Sequence, residues 1–481
     1  MSERVLICGG GVGGLIAALA FGRAGHEVTL LERDVIEPLA SPEEAFATER
    51  RGAPQIHHTH GFLARLQVTL RDRFPDVLDA LLAEGGVTMP MTANLGDPRP
   101  GDEDLKVIII RRSTLEWVLR KAVGAQPHVA VETGVGVHGL LSAASDAAGR
   151  PIVSGAVLDD GRTIAADIVI AATGRRGDVP AWLAPLGVEV HETIVESGLM
   201  YLTRWYHRPA ADLPPDPKLG GDLGFVKFLA IPGDGDTLSV TLAIRSDDAE
   251  LRKALLDPHR FDLACHLLPG PDLFFNEDAP TLEPVSIVRP MGGLLNRLRR
   301  FTNREGVPLV VGFHAIGDAH TTTNPLYGRG SALAAVQACL LLDAVSAHPG
   351  DAAAQATEYE GASKREVQPW FDSSVQMDAM GSDPSGASAL GGGSSEGPGK
   401  AMAAVFAAAA TDPVIGRGIA RFMNLLQTPA ELMGDAELMA RMMEVMAEPE
   451  KYPIQRREGP NRSALLAQLQ ESAASSGSQT R

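Results

Sequence analysis

The sequence predicts an α/β fold in which a domain built on a parallel sheet is interrupted by a mostly antiparallel sheet and followed by helices. Three observations predict it. An apolar strand, a glycine-rich turn and a helix succeed one another within residues 4–23. Alternating, strand-like segments dominate residues 181–305. Helical segments rich in methionine follow residue 400.

These observations divide the chain into consecutive parts. We predict a first nucleotide-binding part over 1–180, an inserted β-sheet domain over 181–305, a second nucleotide-binding part over 306–380, a flexible Gly/Ser-rich linker over 381–400, a C-terminal helical region over 401–460 and a disordered tail over 461–481.

The glycine-rich turn has the spacing of a Rossmann dinucleotide-binding motif. Gly9, Gly11 and Gly14 fit G-x-G-x-x-G between strand and helix, and Glu32 ends the next strand. Gly9 permits the tight turn, Gly11 permits close approach of a pyrophosphate, and Gly14 permits close packing of helix on strand. The helix N-terminus attracts phosphate, and Glu32 can accept hydrogen bonds from ribose hydroxyls. The alternative is a glycine-rich turn without a ligand.

Composition excludes several classes of partner. The chain of 481 residues has 43 basic and 60 acidic residues, a formal net charge of -17, which argues against nucleic acid and anionic membranes. No segment is long and apolar enough to predict a membrane span, and the N-terminal apolar stretch does not match a signal peptide. Cys8, Cys265 and Cys339 are far apart, which favours a reducing cytoplasm and no structural metal.

A cluster of histidines follows the second strand. His57, His58 and His60 suggest a metal site, but their spacing is wrong for a helical pair and no carboxylate or thiolate completes a set. The segment could instead start a helix whose apolar residues face a core, or lie along a cofactor or active-site cavity. These three interpretations remain open at this point.

Further elements follow in order. Residues 107–110 predict a strand, and Arg112 opens the next helix, either reaching a diphosphate or forming a surface charge. A turn at 159–162 predicts a hairpin. Residues 238–244 alternate as a half-buried strand that 198–206 and 225–231 could flank.

The second nucleotide-binding part begins with a predicted strand over 308–312. A long glycine-bounded loop follows, and an apolar helix runs from Ser331 to Ala347. In the tail, seven of the fourteen methionines fall between residues 402 and 446, where they either fill a core or form a wall over an apolar substrate. A threonine, proline and glutamate at Thr428–Glu431 predict a helix start.

Three segments taken together resemble a known superfamily. Residues 9–32, 167–176 and 317–330, in that order, resemble the flavin-dependent aromatic hydroxylases and epoxidases, which bind FAD on a glutathione-reductase-like fold. Within it, the chain looks most similar to actinobacterial FAD-dependent oxidoreductases that include polyether epoxidases and are related to squalene epoxidase. That closer likeness rests on Pro54-Gln55 with His58 and His60, on Ala172–Arg175, on Pro180–Leu183, and on Asn324-Pro325 with Tyr327-Gly328.

The resemblance implies a set of cofactor-binding residues. Glu32 would bind the adenosine ribose, Arg112 would contact FAD, Asp318 would hold the ribitol or pyrophosphate region, and residues 324–330 would pass the isoalloxazine ring. The full implied set is Gly9, Gly11, Gly14, Glu32, Arg33, Arg112, Gly317, Asp318, Pro325, Gly328 and Gly330.

The resemblance also implies a reaction. Reduced FAD would take O₂ and form a C4a-hydroperoxide that epoxidises or hydroxylates a bulky apolar substrate such as a polyene or polyketide. NAD(P)H would supply electrons directly or through a separate flavin reductase, since Thr173-Gly174 replaces the Asp-Gly of many aromatic hydroxylases.

The candidate catalytic groups near the ring are His314, Tyr327 and Arg329, with His320 as a further polar group, although each could be structural. The alternative function is an FAD-dependent reductase or dehydrogenase of an isoprenoid or polyene, without oxygen insertion. A flavoprotein that only binds a ligand is a third possibility. The W-x-W-x-I-P pattern of flavin halogenases is absent.

Overall fold

The computed structural model describes residues 2–208, 219–276, 279–381, 397–453 and 458–477. Most of the predicted linker, residues 382–396, therefore lies outside the described residues. The strands are β1 Arg4–Cys8, β2 Glu27–Glu32, β3 Val87–Pro90, β4 Lys106–Ile109, β5 Val129–Thr133, β6 Val137–Ser145, β7 Pro151–Leu158, β8 Thr163–Ala165, β9 Ile168–Ala171, β10 His191–Glu196, β11 Leu199–His207, β12 Gly220–Asp222, β13 Val226–Gly233, β14 Thr237–Arg245, β15 Glu283–Pro284, β16 Arg289–Met291, β17 Leu295–Arg300, β18 Phe313–Ala315 and β19 Thr321–Thr322.

Helices cover one face of the parallel sheet and build the C-terminal region. They are α1 Val12–Arg23, α2 Pro42–Ala47, α3 Ala64–Arg73, α4 Pro75–Ala83, α5 Arg112–Gly124, α6 Val179–Leu183, α7 Ala249–Leu255, α8 Pro258–Leu267, α9 Asp272–Phe275, α10 Gly330–Ala347, α11 Ala352–Glu366, α12 Gln368–Gly381, α13 Gly397–Ala408, α14 Pro413–Met423, α15 Pro429–Gly434, α16 Ala436–Ala447 and α17 Arg462–Gly477.

The parallel sheet has the order β18-β9-β1-β2-β5. Residues of β1 are buried because helices α1, α5 and α10 pack on one face and the β6-β7-β8 sheet contributes to the core on the other. All these strands end at the same edge, so the glycine turn after β1, Glu32 after β2 and Asp318 after β18 meet there. The mixed α/β fold predicted from the sequence is confirmed.

The antiparallel sheet has the order β12-β13-β14-β11-β15, and β16 also pairs with β11. Leu242 of β14 lies opposite Leu202 on one side and Phe228 on the other, so the predicted pairing of the three segments is confirmed. The hairpin turn between β7 and β8 and the capping box at Thr428 and Glu431 are also confirmed.

Two elements differ from the sequence prediction. The expected strand over 308–312 lies slightly later, as β18. Val311 instead forms an isolated bridge to Ile152 of β7, and the chain turns at Gly312, whose φ is +74°. The expected disordered tail contains α17, whose Leu465 and Leu469 are fully buried in the core of the antiparallel sheet. These leucines are one helical turn apart, a spacing that the surrounding serine and alanine obscured.

Within the described residues, α10 is long and apolar enough to cross a membrane, and residues 400–408 of α13 with α14 pass the same test only as a pair bent by 99°. Helix α10 packs on α1, α3 and α11 in the parallel-sheet core. Its apolar composition is explained by that packing.

Candidate functional site

A cavity of about 1010 Å³ opens at the carboxyl edge of the parallel sheet. The glycine turn and Glu32 line one end, and β13 and β14 of the antiparallel sheet line the other. The segment that leads into α10 lies between them and lines the cavity with Thr323, with Pro325–Gly328 and with Gly330–Ser331. One continuous space therefore joins the dinucleotide motif to the antiparallel sheet.

The three motif glycines have different surroundings. A β-carbon on Gly9, at φ +117°, would lie 2.4 Å from the Ala172 carbonyl oxygen, and one on Gly14 would lie 1.8 Å from the Gly9 carbonyl oxygen. A β-carbon on Gly11 would have no atom of the described residues within 4 Å other than those of its neighbours along the chain. Gly9 and Gly14 thus serve close packing, while Gly11 presents bare backbone to the cavity. This is the cradle that a diphosphate needs.

Glu32 lies at the carboxyl end of β2 and lines the cavity. Its Oε2 accepts a hydrogen bond from the Gly10 amide at 3.0 Å, and its Oε1 accepts one from the Asp34 amide at 2.9 Å. The carboxylate therefore braces the glycine turn as well as facing the cavity. Arg33, next along the chain, is exposed at the cavity rim.

Arg50 links Glu32 to two further carboxylates and was not singled out from the sequence. The Arg50 guanidinium lies 2.9 Å from an oxygen of each of Glu32, Asp34 and Glu116, and only 5% of its side chain is exposed. A buried arginine satisfied by three carboxylates fixes the loop after β2 against the dinucleotide end of the cavity.

Glu116 gathers a second group of arginines on α5. Arg112 Nε donates to Glu116 at 3.0 Å, and Arg120 lies 3.6 Å from Glu116 while donating to the Gly10 carbonyl oxygen at 2.5 Å. Burial opposes ionisation of Glu116, but the charges of Arg112, Arg50 and Arg120 outweigh it and lower its pKa. The i, i+4 spacing of these residues was the sequence signal for this cluster.

Asp318 and Gly330 are neighbours on the cavity wall. Both residues line the cavity, and Asp318 Oδ1 lies 3.7 Å from the position of a β-carbon on Gly330. Burial raises the pKa of the Asp318 carboxyl, against the opposing charges of Arg112, Arg175 and Arg297. Gly317, Pro325 and Gly328 line the same wall.

Tyr327 lines the cavity, but its hydroxyl is held from behind by Asp378 of α12. It donates to Asp378 Oδ1 at 2.7 Å, and burial followed by the Asp378 charge raises the pKa of the phenol. Asn324 Nδ2 donates to the same oxygen at 2.8 Å, and Asn296 Nδ2 donates to Oδ2 at 2.6 Å. Tyr201 OH donates to Asn324 Oδ1 at 2.9 Å. This network fixes the loop, and nothing local in the sequence indicated Asp378.

Arg329, a candidate catalytic group from the sequence, does not face the cavity. It is fully buried and does not line the cavity. Its Nη1 donates to the Trp370 carbonyl oxygen at 2.9 Å and to Ser374 Oγ at 2.6 Å, and the guanidinium lies 5.0 to 5.8 Å from the ring centroids of Tyr327, Trp370 and Phe422. Burial lowers its pKa to about 10. Arg329 therefore joins α10 to α12.

His314 and His320 also lie outside the cavity lining, so their proposed place near the ring is corrected. His314 lies in the middle of β18 and packs edge-on against Tyr359. His320 Nδ1 lies 2.7 Å from Thr321 Oγ1, and its ring tilts against Phe301. Both positions are close to the glycine-bounded loop in sequence, but the side chain of His314 in β18 and that of His320 just before β19 are both buried.

His314→Phe is expected to reduce the loss of unfolding free energy that occurs as the pH falls below 6.5. Substrate binding is expected to stay unchanged. Burial lowers the pKa of His314 from 6.5 to about 4. Between these two pH values the histidine is protonated in the unfolded chain but neutral in the folded protein. Stability is therefore lost as the pH falls from 6.5 toward 4, by roughly 3 kcal/mol at about 1.4 kcal/mol per pKa unit. Urea unfolding at pH 7, 5.5 and 4.5 measures this. An unchanged slope in the variant would contradict it.

The histidine segment lies on the cavity wall. His58, Thr59 and His60 line the cavity. His60 Nδ1 lies 2.9 Å from the His58 carbonyl oxygen, and its Nε2 lies 3.4 Å from Arg112 Nη1. Burial, together with the Arg112 charge, lowers the pKa of His60 to about 3. Among the described residues no group of three or more His, Cys, Asp or Glu side chains is placed to hold a metal ion.

The antiparallel-sheet end of the cavity is mostly apolar, although the ion pair of Lys227 with Asp222 also lines it. Its lining residues include Phe62, Met89, Met91, Val107, Ile109, Phe228, Leu229, Ile231, Met291 and Met423. Among the tail methionines in the described chain, Met423 lines the cavity, whereas Met442 is buried among the C-terminal helices and Met433 and Met443 are exposed. The tail therefore contributes Met423 and Asn424 to the wall, and the core-filling interpretation fits Met442.

The chain matches no family model. Among curated proteins, it is 26% identical to protein Rv3254 of Mycobacterium tuberculosis over 393 residues, which are 73% of this chain and 76% of that protein. It is 28% identical to the chloroplastic zeaxanthin epoxidase of Oryza sativa subsp. japonica over 185 residues, 36% of this chain and 25% of the epoxidase.

Solved structures extend the likeness to most of the chain. PqsL, a probable FAD-dependent monooxygenase from Pseudomonas aeruginosa, superposes with a TM-score of 0.57 at 17% identity, covering 79% of this chain and 95% of PqsL. The p-nitrophenol 4-monooxygenase PnpA from Pseudomonas putida DLL-E4 superposes with a TM-score of 0.59 at 17% identity, covering 89% and 98%. The chain therefore shares its fold with PqsL and with the monooxygenase PnpA.

Proposed function

We propose that this protein is an FAD-dependent monooxygenase that inserts one atom of O₂, by epoxidation or hydroxylation, into a bulky apolar substrate such as a polyene or polyketide. The observation that carries the proposal is the single cavity that joins a dinucleotide motif to an apolar chamber. The folds of PqsL and PnpA and the partial likeness to zeaxanthin epoxidase support it.

The residues of the cavity fit FAD. Gly11 and the N-terminus of α1 would receive the diphosphate, because no side chain fills the space beside Gly11. Glu32 would accept from the ribose hydroxyls, and Arg112 and Asp318 would contact the middle of the cofactor. We assign the flavin ring to the wall formed by Pro325–Gly328, between the two sheets.

The bound cofactor would supply electrons and activate O₂, while the chain positions the substrate and excludes water. The N-terminus of α10 begins at Gly330 on the cavity wall, so its partial positive charge can stabilise negative charge on a reduced flavin. Leu229 and Ile231, on one face of β13, would hold the apolar substrate against that wall. The polar network behind Tyr327 keeps the wall in place.

The flavin could receive its electrons in two ways. NADPH or NADH could reduce the flavin directly, or a separate flavin reductase could do so. Thr173 lines the cavity where many aromatic hydroxylases have aspartate, and its hydroxyl has no hydrogen-bond partner in the described part of the chain. A neutral hydroxyl there removes one contact expected when NADPH or NADH reduces the flavin directly. This favours reduction by a separate flavin reductase.

Oxygen labelling tests the proposal. The holoenzyme is reduced by NADPH, by NADH or by light, mixed with ¹⁸O₂, and supplied with squalene or 2-naphthol. We expect one ¹⁸O atom per product molecule and oxygen uptake matched to product. Substrate reduction or desaturation without ¹⁸O would overturn the proposal and support the reductase or dehydrogenase alternative. Reduction only by light would identify a need for a partner reductase.

A further inference from the structure

A chain of side-chain hydrogen bonds runs along the cavity wall from His58 to Thr59. His58 Nδ1 lies 2.8 Å from Thr203 Oγ1, Thr203 Oγ1 lies 2.6 Å from Thr241 Oγ1, and Thr241 Oγ1 lies 2.8 Å from Thr59 Oγ1. Thr203 and Thr241 are directly opposite each other on β11 and β14. The antiparallel register therefore builds the middle of the chain.

Counting protons fixes the direction of every bond. Thr241 donates to Thr59, and a hydroxyl has one proton, so Thr241 must accept from Thr203. Thr203 has then used its own proton and must accept from His58 Nδ1–H. His58 is therefore the Nδ1–H tautomer, and its Nε2 carries a lone pair.

The neutral state of His58 agrees with its surroundings. Burial is the main effect, and the charges of His57, Arg289 and Arg175 act in the same direction, so the pKa of His58 falls to about 4. His58 is only 6% exposed. At neutral pH its ring is an uncharged acceptor at Nε2.

The two residues at the ends of this chain lie on the cavity, and each has a side-chain atom with unused hydrogen-bonding capacity. His58 and Thr59 both line it. Within the described residues, His58 Nε2 has no hydrogen-bond partner, and Thr59 Oγ1 accepts from Thr241 but donates to nothing. The wall thus offers one acceptor and one donor, side by side in sequence, in a mostly apolar chamber. Thr203 is fully buried and does not line the cavity.

We propose that His58 Nε2 and Thr59 Oγ1 together bind a hydroxyl group on the otherwise apolar substrate. A hydroxyl donates to Nε2 and accepts from Thr59, whereas an ether, a ketone or a carboxylate cannot donate and a hydrocarbon can do neither. A hydrocarbon would leave the buried Nε2 unpaired, which is costly. The inference rests on the proposed function for the identity of the ligand as substrate, and it narrows that substrate to an alcohol or phenol.

Thr203 would act as a positioning residue because it fixes the His58 tautomer from outside the cavity. Thr203→Val keeps the shape of the side chain and removes the acceptor of Nδ1–H, so the ring can move its proton to Nε2 and lose the acceptor. Thr203→Ser keeps the hydroxyl and is the matched control. Neither change alters the surface of the cavity.

Binding to the oxidised holoenzyme tests the proposal with two probes that differ by one hydroxyl. By calorimetry, 2-naphthol is expected to bind about 100-fold more tightly than naphthalene, because a site built for a hydroxyl rejects the analogue that lacks it. His58→Leu is expected to remove most of that ratio. Thr203→Val is expected to reduce it about tenfold, and Thr203→Ser to retain it. Equal binding of the two probes to the wild type, or a ratio unchanged in His58→Leu, would overturn the proposal.

Nitrogen NMR of ¹⁵N-histidine-labelled holoenzyme gives an independent readout. The resonance pair lost in His58→Leu is expected to show a protonated Nδ1 and an unprotonated Nε2, and Thr203→Val is expected to shift it toward the other tautomer. A wild-type Nε2–H tautomer would overturn the proposal. Neither experiment uses reduced flavin or O₂, so failure of the labelling experiment above and failure of this inference are distinguishable.

Discussion

Gly11→Val is expected to yield a folded protein that has lost FAD. The new side chain would occupy the space beside Gly11, where a β-carbon has no atom of the described residues within 4 Å apart from its neighbours along the chain, so the core is not disturbed. Gly11 has φ -83°, which valine also adopts. The cost to folding is confined to a poorer N-cap of α1, about 1 kcal/mol. The same side chain would stand where a diphosphate must approach the amides of α1, so we expect FAD affinity to fall by about 100-fold or more.

Two further valine substitutions separate cofactor loss from fold loss. Gly124→Val at the exposed end of α5 also meets no atom within 4 Å, so it should retain FAD and stability. Gly14→Val would place its β-carbon 1.8 Å from the Gly9 carbonyl oxygen and should prevent folding. Flavin content after purification, reconstitution of the apoprotein followed by FAD fluorescence, and circular dichroism measure these results. Normal FAD content in Gly11→Val would contradict the assignment of the diphosphate to this turn.

The parts of the site that the sequence predicted are those whose contacts are local. The glycine turn and Glu32 lie at the ends of adjacent parallel strands, and the Rossmann spacing already implies that they meet. Arg50 and Glu116 form an ion pair although they are 66 residues apart in the sequence. Asp378 accepts a hydrogen bond from Asn296, which is 82 residues away in the sequence. No periodicity or spacing links such distant residues, so these partners became visible only in the folded chain.

The catalytic candidates show a second reason why the sequence did not predict the whole site. His314 and Arg329 were chosen because they flank a glycine-rich loop, but proximity in sequence does not fix the direction of a side chain. Arg329 precedes α10 and turns back into a cage of aromatic rings, and His314 lies within a buried strand. The histidine segment shows the opposite case: His58 and His60 had three open interpretations, and the antiparallel sheet placed them on the cavity wall.

Asp378→Leu is expected to destabilise the holoenzyme by about 3 to 5 kcal/mol, since removing a buried carboxylate leaves its donors unpaired. Asn296 Nδ2, Asn324 Nδ2 and the Tyr327 hydroxyl would all lose their acceptor. Asp378→Asn keeps one acceptor oxygen but places its own NH2 group against another side-chain amide. We therefore expect a smaller loss of unfolding free energy, about 2 kcal/mol. Unfolding by urea, followed by circular dichroism, gives the three free energies.

The loss of Asp378 should also weaken the site in molecules that remain folded. The loop from Pro325 to Gly328 lines the cavity, and Asn324 shapes it by accepting from the Leu326 amide at 3.1 Å and from Tyr201. Without Asp378 the loop loses its support, so we expect substrate affinity to fall about tenfold or more even at temperatures where the variant is folded. Asp372→Asn, an exposed position on the same helix, is the matched control and should change neither quantity. If Asp378→Leu matched this control in both stability and binding, the network would not hold the cavity wall, and the role of Tyr327 would need another explanation.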